Sequence, residues 1–202
     1  NVRWAVSRTG CPPCTAWALH QAWPEASFQV VDDAGHAAFE PGIASALVAA
    51  TGRGICAIEL GEDAAQLECK LHHEFPNADI QRVQAGSDEF LAPRLRAVAD
   101  RLHGRDGDVA LDLVGSAFQK RVWDALMKIP VGQTRSYAEL ADALGSPRAA
   151  RAVASACASN RVAVLVPCHR IIRGDGSLGG YRWGLPMKEV LLQREQAIPP
   201  QP

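Results

Sequence analysis

The chain has 202 residues, 48% of them apolar and 21% charged, with a formal net charge of −1. This composition fits a globular chain able to build one large core or two small ones, and it excludes low-complexity disorder. No apolar stretch approaches the ~20 residues that cross a bilayer, so no membrane partner is expected. The opening "NVRWAVSRTG" lacks the charged-then-apolar pattern of a signal peptide. It starts on Asn1 rather than Met and reads as a piece of a longer protein.

The small net charge conceals a segregation. Over residues 1–116 nine Lys/Arg stand against sixteen Asp/Glu, whereas over 117–182 ten stand against four. An acidic first half followed by a basic second half is the pattern of a one-faced polyanion binder, to be weighed against chance clustering on solvated faces. Six cysteines do not imply a disulfide framework in a chain that can build a core without staples. Cys56 and Cys157 sit in apolar settings, so reduced thiols are expected.

In chain order, "GIASALVAATGRGICAIEL" (42–60) reads as a β-hairpin around a Gly-containing turn. "EDAAQLECKLHHEF" places Ala64, Leu67, Leu71 and Phe75 at helical spacing, with Pro76 as its stop. "DIQRVQ" (79–84) predicts a strand. A helix capped by Ser87 and ended by Gly104 carries Leu91, Leu95, Val98 and Leu102, and "DVALDLVG" (108–115) predicts one more strand. Residues 1–112 are thus expected to form a small α/β domain with a mostly antiparallel sheet, followed by a mainly helical domain over 113–198.

That second domain opens with Ser116 and Gln119 at capping-box spacing ahead of Phe118, Val122, Trp123, Leu126 and Ile129. Ser136 and Glu139 repeat the device, and Gly145 closes the helix they start. Ser146 as cap and Pro147 at the first helical position begin the next, "SPRAARAVASACASN". Two helices joined by a short turn in a basic segment make a helix-turn-helix. Its second helix is unusual, because alanines leave Arg148 and Arg151 as its only long side chains. A smooth helix cannot read base edges, but it can lie close to a groove whatever the sequence. A buried, Ala-rich packing helix is the competing reading.

"VLVPCHR" (164–170) delivers Cys168 on an apolar run of strand type between a proline and two basic side chains. A thiol becomes a nucleophile when a base or positive charge stabilises its thiolate, and His169, Arg170 and Arg173 stand near. Glu195, at the end of a final helix in "LPMKEVLLQRE", is a candidate to orient the histidine.

"GSAFQKRVWDALMKIPVGQTRSYAELADAL", "RAVASACASN", "VPCHRIIRGDG" and "GYRWG…KEVLLQRE" together resemble the O6-alkylguanine-DNA alkyltransferases, most closely the C-terminal half of their adaptive-response branch. The likeness runs from Ile43 to Glu195. It implies a ribonuclease H-like first domain and a winged helix-turn-helix second domain. It implies a monomer, associated with the nucleoid, that flips O6-alkylguanine out of double-stranded DNA and takes the alkyl group irreversibly on Cys168. O6-methylguanine is the main lesion and O4-methylthymine a second candidate. By the same resemblance His169 is the base, acting through a water, Glu195 orients it, and Asn160 is a hinge. Tyr137 presses on phosphate and donates to guanine N3. Tyr181, Ile171, Arg182 and Lys188 belong to the substrate pocket. DNA contacts fall to Arg151 as an inserted finger and to Arg148, Ala150, Ala152, Ser155, Tyr137 and Arg135. No metal or organic cofactor is implied.

Two departures stand out. Residues 7–42 form an atypical insertion after a first strand at 2–6, expected either to carry a helix near Ala16–Trp23 or to be disordered. Within it, Cys11 and Cys14 could join Cys69 and His72 or His73 as a structural zinc set, although loop thiols are the reading adopted. Trp183 stands where some relatives have small residues, which favours methyl over benzyl-sized adducts. The alternatives are a non-catalytic DNA-binding module and, further off, a thiol oxidoreductase built on Cys11 and Cys14. An intact Cys168 and the missing base-reading side chains speak against the first, and the missing βαβ pattern against the second.

Overall fold

The computed structural model describes residues 29–30, 45–61, 63–82, 91–102 and 109–196. They divide into two compact units, one drawn from Asn1–Ala99 and Asp108–Asp112, the other from Asp100–Gly107 and Leu113–Pro202. Among the described residues no helix is long and apolar enough to cross a membrane.

In the first unit, β1 (Gln29–Val30), β2 (Ser45–Thr51) and β3 (Gly54–Gly61) form an antiparallel sheet in that order. The expected hairpin is β2–β3, with a register shift between Ala49 and Ala50. Gln29 pairs with Val48, so the insertion contributes an edge strand, which the sequence reading did not anticipate. α1 (Ala64–Glu74) starts where the Asp63 carboxylate accepts the Ala65 N–H at 2.9 Å. It turns Leu67 and Leu71 onto Leu47, Ala49, Cys56, Ala57 and Phe75. α2 (Ala92–Leu102) buries Val98. Ser87, Gly104, residues 2–6 and the Ala16–Trp23 stretch lie outside the described residues.

Both later strands differ from expectation. Of residues 79–82 only Arg82 carries a bridge and Ile80 packs on the α1 core, while 83–84 lie outside the described residues. Of 109–115 only Leu111 bridges, parallel to Ile55. There the Asp112 carboxylate accepts the Thr51 hydroxyl at 2.7 Å and Arg53 Nε at 3.2 Å. This side-chain clamp takes the place of a longer ladder. The Ala110 carbonyl, which accepts the Ile55 N–H at 2.9 Å, comes close enough to require glycine at 54, where a Cβ would run into it.

The second unit begins with α3 (Ala117–Met127), whose capping box is formed as predicted: Ser116 Oγ accepts the Gln119 N–H at 3.3 Å and Gln119 Oε1 accepts the Ser116 N–H at 2.8 Å. Trp123 Nε1–H donates to the Ala156 carbonyl at 2.9 Å. β4 (Arg135–Ser136) leads into α4 (Tyr137–Ala143) through the second capping box. α4 ends at left-handed Gly145 (φ 68°), with Gly145 N–H on Asp142 O and Ser146 N–H on Ala141 O, both at 2.9 Å. This paired arrangement satisfies the last carbonyls.

The next helix departs in detail. Pro147–Ala149 form a 3₁₀ turn before α5 (Ala150–Ala158), and the Ser146 side chain caps nothing. The Ser146 carbonyl instead accepts the Ala149 N–H at 2.8 Å. A second 3₁₀ turn (Cys168–Arg170), β5 (Ile171–Ile172) and α6 (Leu185–Arg194) complete the unit. β4 and β5 pair in parallel, Arg135 with Ile171 and Ser136 with Ile172.

Candidate active site

The apolar run before Cys168 is not a strand. Residues 163–165 are turn, and Leu165 N–H returns to the Ala163 carbonyl at 2.7 Å. Val164 sits in the left-handed region at φ 67°, a conformation that costs a β-branched residue about 1–3 kcal/mol. Asn160, 1% exposed, over-determines this loop. Its Oδ1 accepts the Val162 N–H at 2.9 Å, while Nδ2 donates to Val166 O at 2.9 Å, to Val162 O at 3.3 Å and to Cys168 Sγ at 3.2 Å. One side chain therefore folds the loop and points an N–H at the thiol. The mount expected from a strand is supplied by a hydrogen-bonded turn.

Cys168 is buried, and burial pushes its thiol up to about 11, against the Asn160 N–H and the nearby Lys188 charge, which both lower it. His169 is fully buried and its Nε2 lies 2.9 Å from Glu195 Oε1. Burial lowers the His169 pKa, although Glu195 works the other way. For Glu195, burial would raise the pKa, but hydrogen bonds from His169 and Arg170 bring it down to about 2. An ionised carboxylate accepts only, so His169 carries its proton on Nε2 and presents a bare Nδ1. Nδ1 is buried and meets no hydrogen-bond partner among the described residues. A neutral imidazole of this tautomer, next in chain to a thiol, can take a proton from it or from a water between them.

Arg170, for which the sequence suggested only nearby positive charge, holds this pair in place. Nε and Nη2 donate to the two Glu195 oxygens at 2.8 Å each, and Nη1 to the Ile129 carbonyl. Its place in P-C-H-R was the available signal.

Lys188 is fully buried, donating to the carbonyls of Ile171 and Leu178, and burial lowers its pKa to about 8. Ile171 is buried, with its carbonyl engaged by Lys188. Tyr181 meets the His169 ring edge-on at 6.4 Å and Trp183 at 5.1 Å. Arg182 stands 6.0 Å over the Trp183 ring and donates to the Ala158 carbonyl at 3.4 Å. Tyr137 is half-buried; burial raises its hydroxyl pKa, and the thiols of Cys157 and Cys168 are close enough to add to this.

α5 is amphipathic rather than buried all round. Val153, Ala156 and Cys157 face inward, while Arg148, Arg151, Ala152 and Ser155 are exposed and Ala150 is half-exposed. Arg135 stands apart, in a groove lined also by Arg121, Lys128 and Glu139. It donates to the Thr134 carbonyl at 3.0 Å and to Gln133 Oε1 at 3.3 Å. Cys69, His72 and His73 are exposed on α1, and Cys11 and Cys14 lie outside the described residues. Among the described residues no three His, Cys, Asp or Glu are grouped as a metal site requires.

Residues 117–197 match the model of the 6-O-methylguanine DNA methyltransferase, DNA binding domain. The chain is 51% identical over 151 residues to the bifunctional transcriptional activator/DNA repair enzyme Ada of Escherichia coli, covering 74% of this chain and 42% of that protein. It is 53% identical over 93 residues to a methylated-DNA--protein-cysteine methyltransferase of Mycobacterium bovis, covering 46% of this chain and 56% of that protein. The chain thus spans about half the length of the curated relatives it matches. Mycobacterium tuberculosis OGT, solved in complex with DNA, superposes with a TM-score of 0.63 at 33% identity, over 78% of this chain and 90% of that one. On sequence and fold together, the chain belongs to the 6-O-methylguanine DNA methyltransferase family.

Proposed function

We propose that the chain reverses DNA alkylation by taking the alkyl group of O6-alkylguanine, chiefly O6-methylguanine, onto Cys168 in a single irreversible turnover, with O4-methylthymine a second substrate. The observation that carries this reading is the buried His169–Glu195 pair, which leaves a bare Nδ1 on the residue next in chain to a thiol already receiving the Asn160 N–H. The sulfur attacks the alkyl carbon, an S–C bond forms and the C–O6 bond breaks, its electron pair staying on guanine. The thiol proton leaves through a water to His169 Nδ1, and guanine N3 takes a proton from Tyr137, which the imidazolium replaces through solvent. The sulfur keeps the product, so no cofactor takes part.

A lesion inside a duplex is beyond the reach of a buried thiol, so the nucleotide must be flipped, at a few kcal/mol of unstacking. The exposed face of α5 suits a groove read for shape rather than sequence. Arg151 enters the vacated stack, while Arg148, Ala150, Ala152, Ser155 and Arg135 line the DNA side. Tyr181, Ile171, Arg182 and Lys188 shape the base pocket, and Trp183 limits its size. On this reading residues 1–112 are a ribonuclease H-like domain with 7–42 inserted, and 113–198 a winged helix-turn-helix domain carrying the reaction. The protein acts as a monomer in the bacterial cytoplasm on double-stranded DNA at the nucleoid.

The test is an intact mass after mixing with a duplex holding one O6-methylguanine. A gain of one methylene unit, absent in Cys168→Ala, is expected. No gain with tight binding retained would make the chain a lesion-binding module instead.

A further inference from the structure

From residue 109 onward, the arginine guanidinium groups with no hydrogen bond or ion pair among the described residues are those of Arg148, Arg151 and Arg173. The first is exposed on the 3₁₀ turn that leads into α5 and the second on the exposed face of α5 itself. The third is exposed at the far end of β5. Arg170, Arg121 and Arg135, by contrast, are committed to Glu195, to the Leu144 carbonyl and to Thr134 and Gln133.

Two independent features place Arg173 beside Tyr137. The parallel register of β4 and β5 pairs Ser136 with Ile172, and Tyr137 and Arg173 are the residues that follow each strand. At left-handed Gly179 (φ 66°), a Cβ would lie 3.3 Å from Arg173 Cγ and 3.3 Å from the Tyr137 hydroxyl, so both side chains flank one point that only glycine leaves open. The backbone beneath Arg173 is held: its N–H donates to Ser177 O at 2.8 Å and its carbonyl accepts the Gly176 N–H at 3.0 Å. Asp175, across this turn, spends hydrogen bonds on the Ser177 N–H and hydroxyl at 2.9 and 2.7 Å; the Arg173 charge reaches it only through space, with no hydrogen bond or ion pair between the two.

We propose that Arg173 is a phosphate anchor on the active-site side, gripping the backbone of the lesion-bearing strand next to Tyr137. The inference rests on the DNA-repair reading above. A phosphodiester is the fitting ligand, because a planar fork of donors on a fixed mount matches its paired oxygens. Contacts from α5 alone position the groove. Arg173 and Tyr137 would hold the segment of backbone that rotates when the base leaves the stack.

The full chain and its Arg173→Ala and Arg173→Lys variants are compared by intact mass, following methyl transfer to Cys168 from a methylated duplex at several salt concentrations and from free O6-methylguanine. Loss of one phosphate contact should flatten the logarithmic salt dependence of the duplex rate by about 0.9 in Arg173→Ala. The duplex-to-free-base rate ratio should fall about tenfold, the free energy of one charge-assisted contact, and Arg173→Lys should restore the salt slope. An unchanged slope in Arg173→Ala, or equal losses on duplex and free base, overturns the anchor. A wild-type chain that takes no methyl from either substrate overturns the repair reading instead, which keeps the two failures apart.

Discussion

Glu195 lies 2.9 Å from His169 Nε2, and this one contact sets both the tautomer and the orientation of the candidate base. The carboxylate is in turn held at both oxygens by Arg170, so the base is fixed by a chain of buried groups rather than by its own packing alone.

The first prediction concerns pH. Burial holds the His169 pKa below the ordinary imidazole value, so the neutral base persists as pH falls through 6.5. The methyl-transfer rate should be level through neutrality and fall only at lower pH. Because Glu195 raises the His169 pKa, Glu195→Gln should move this acid limb further down while lowering the plateau about 100-fold, a typical general-base contribution. Single-turnover rates against pH check both directions; an acid limb that moves up contradicts the assignment.

Acid stability follows from the same carboxylate. Its pKa is depressed to about 2 in the fold, against an ordinary carboxylate value of 4.5. Its stabilisation is therefore present above the unfolded value and lost as pH falls toward 2, about 3 kcal/mol in all. Arg170→Gln leaves a buried carboxylate without its clamp and should destabilise the protein by about 3–5 kcal/mol at neutral pH. It should also shift acid unfolding to higher pH, as read by circular dichroism.

Asn160→Ala strands the buried Val162 N–H, at about 1–3 kcal/mol, and takes one of two donors from the Val166 carbonyl, which keeps the Cys168 N–H at 2.8 Å. It also frees the left-handed Val164 from what enforces its conformation. A fall in thermal midpoint together with loss of methyl transfer is expected. Unchanged transfer would show that the loop keeps its shape without Asn160.

Trp183 packs against Tyr181 in a tilted arrangement, with ring centroids 5.1 Å apart. Trp183→Ala should raise the rate with free O6-benzylguanine relative to methylated DNA by about tenfold, the scale on which pocket size discriminates. Comparable rates of the unaltered chain with both substrates would remove Trp183 as a size filter.

Arg151 is exposed and without a protein partner among the described residues. Arg151→Ala should slow transfer from duplex DNA about 100-fold, if the side chain supplies the few kcal/mol of unstacking. Transfer from the free base needs no flipping and should slow far less, as the same mass assay reads directly.

The sequence by itself determined what depends on neighbours in the chain. Capping boxes at Ser116 and Ser136, left-handed Gly145 and the hydrophobic spacing of α1 and α3 were legible because each is decided within about four residues. Cys168, His169, Asn160 and Glu195 were nameable from their motif and its resemblance, but spacing alone could not join Glu195 to His169. Twenty-six residues separate them, and only the packing of α6 against the 3₁₀ turn brings them to 2.9 Å. The strand expected before Cys168 became a turn because Asn160 offers the backbone better partners than a ladder would. The strand expected at 108–115 shrank to one bridge where Asp112 took Thr51 and Arg53. Arg170 as clamp and Arg173 as neighbour of Tyr137 were invisible for the same reason. Burial, strand register and side-chain partners belong to contacts between distant segments, and only the folded chain decides them.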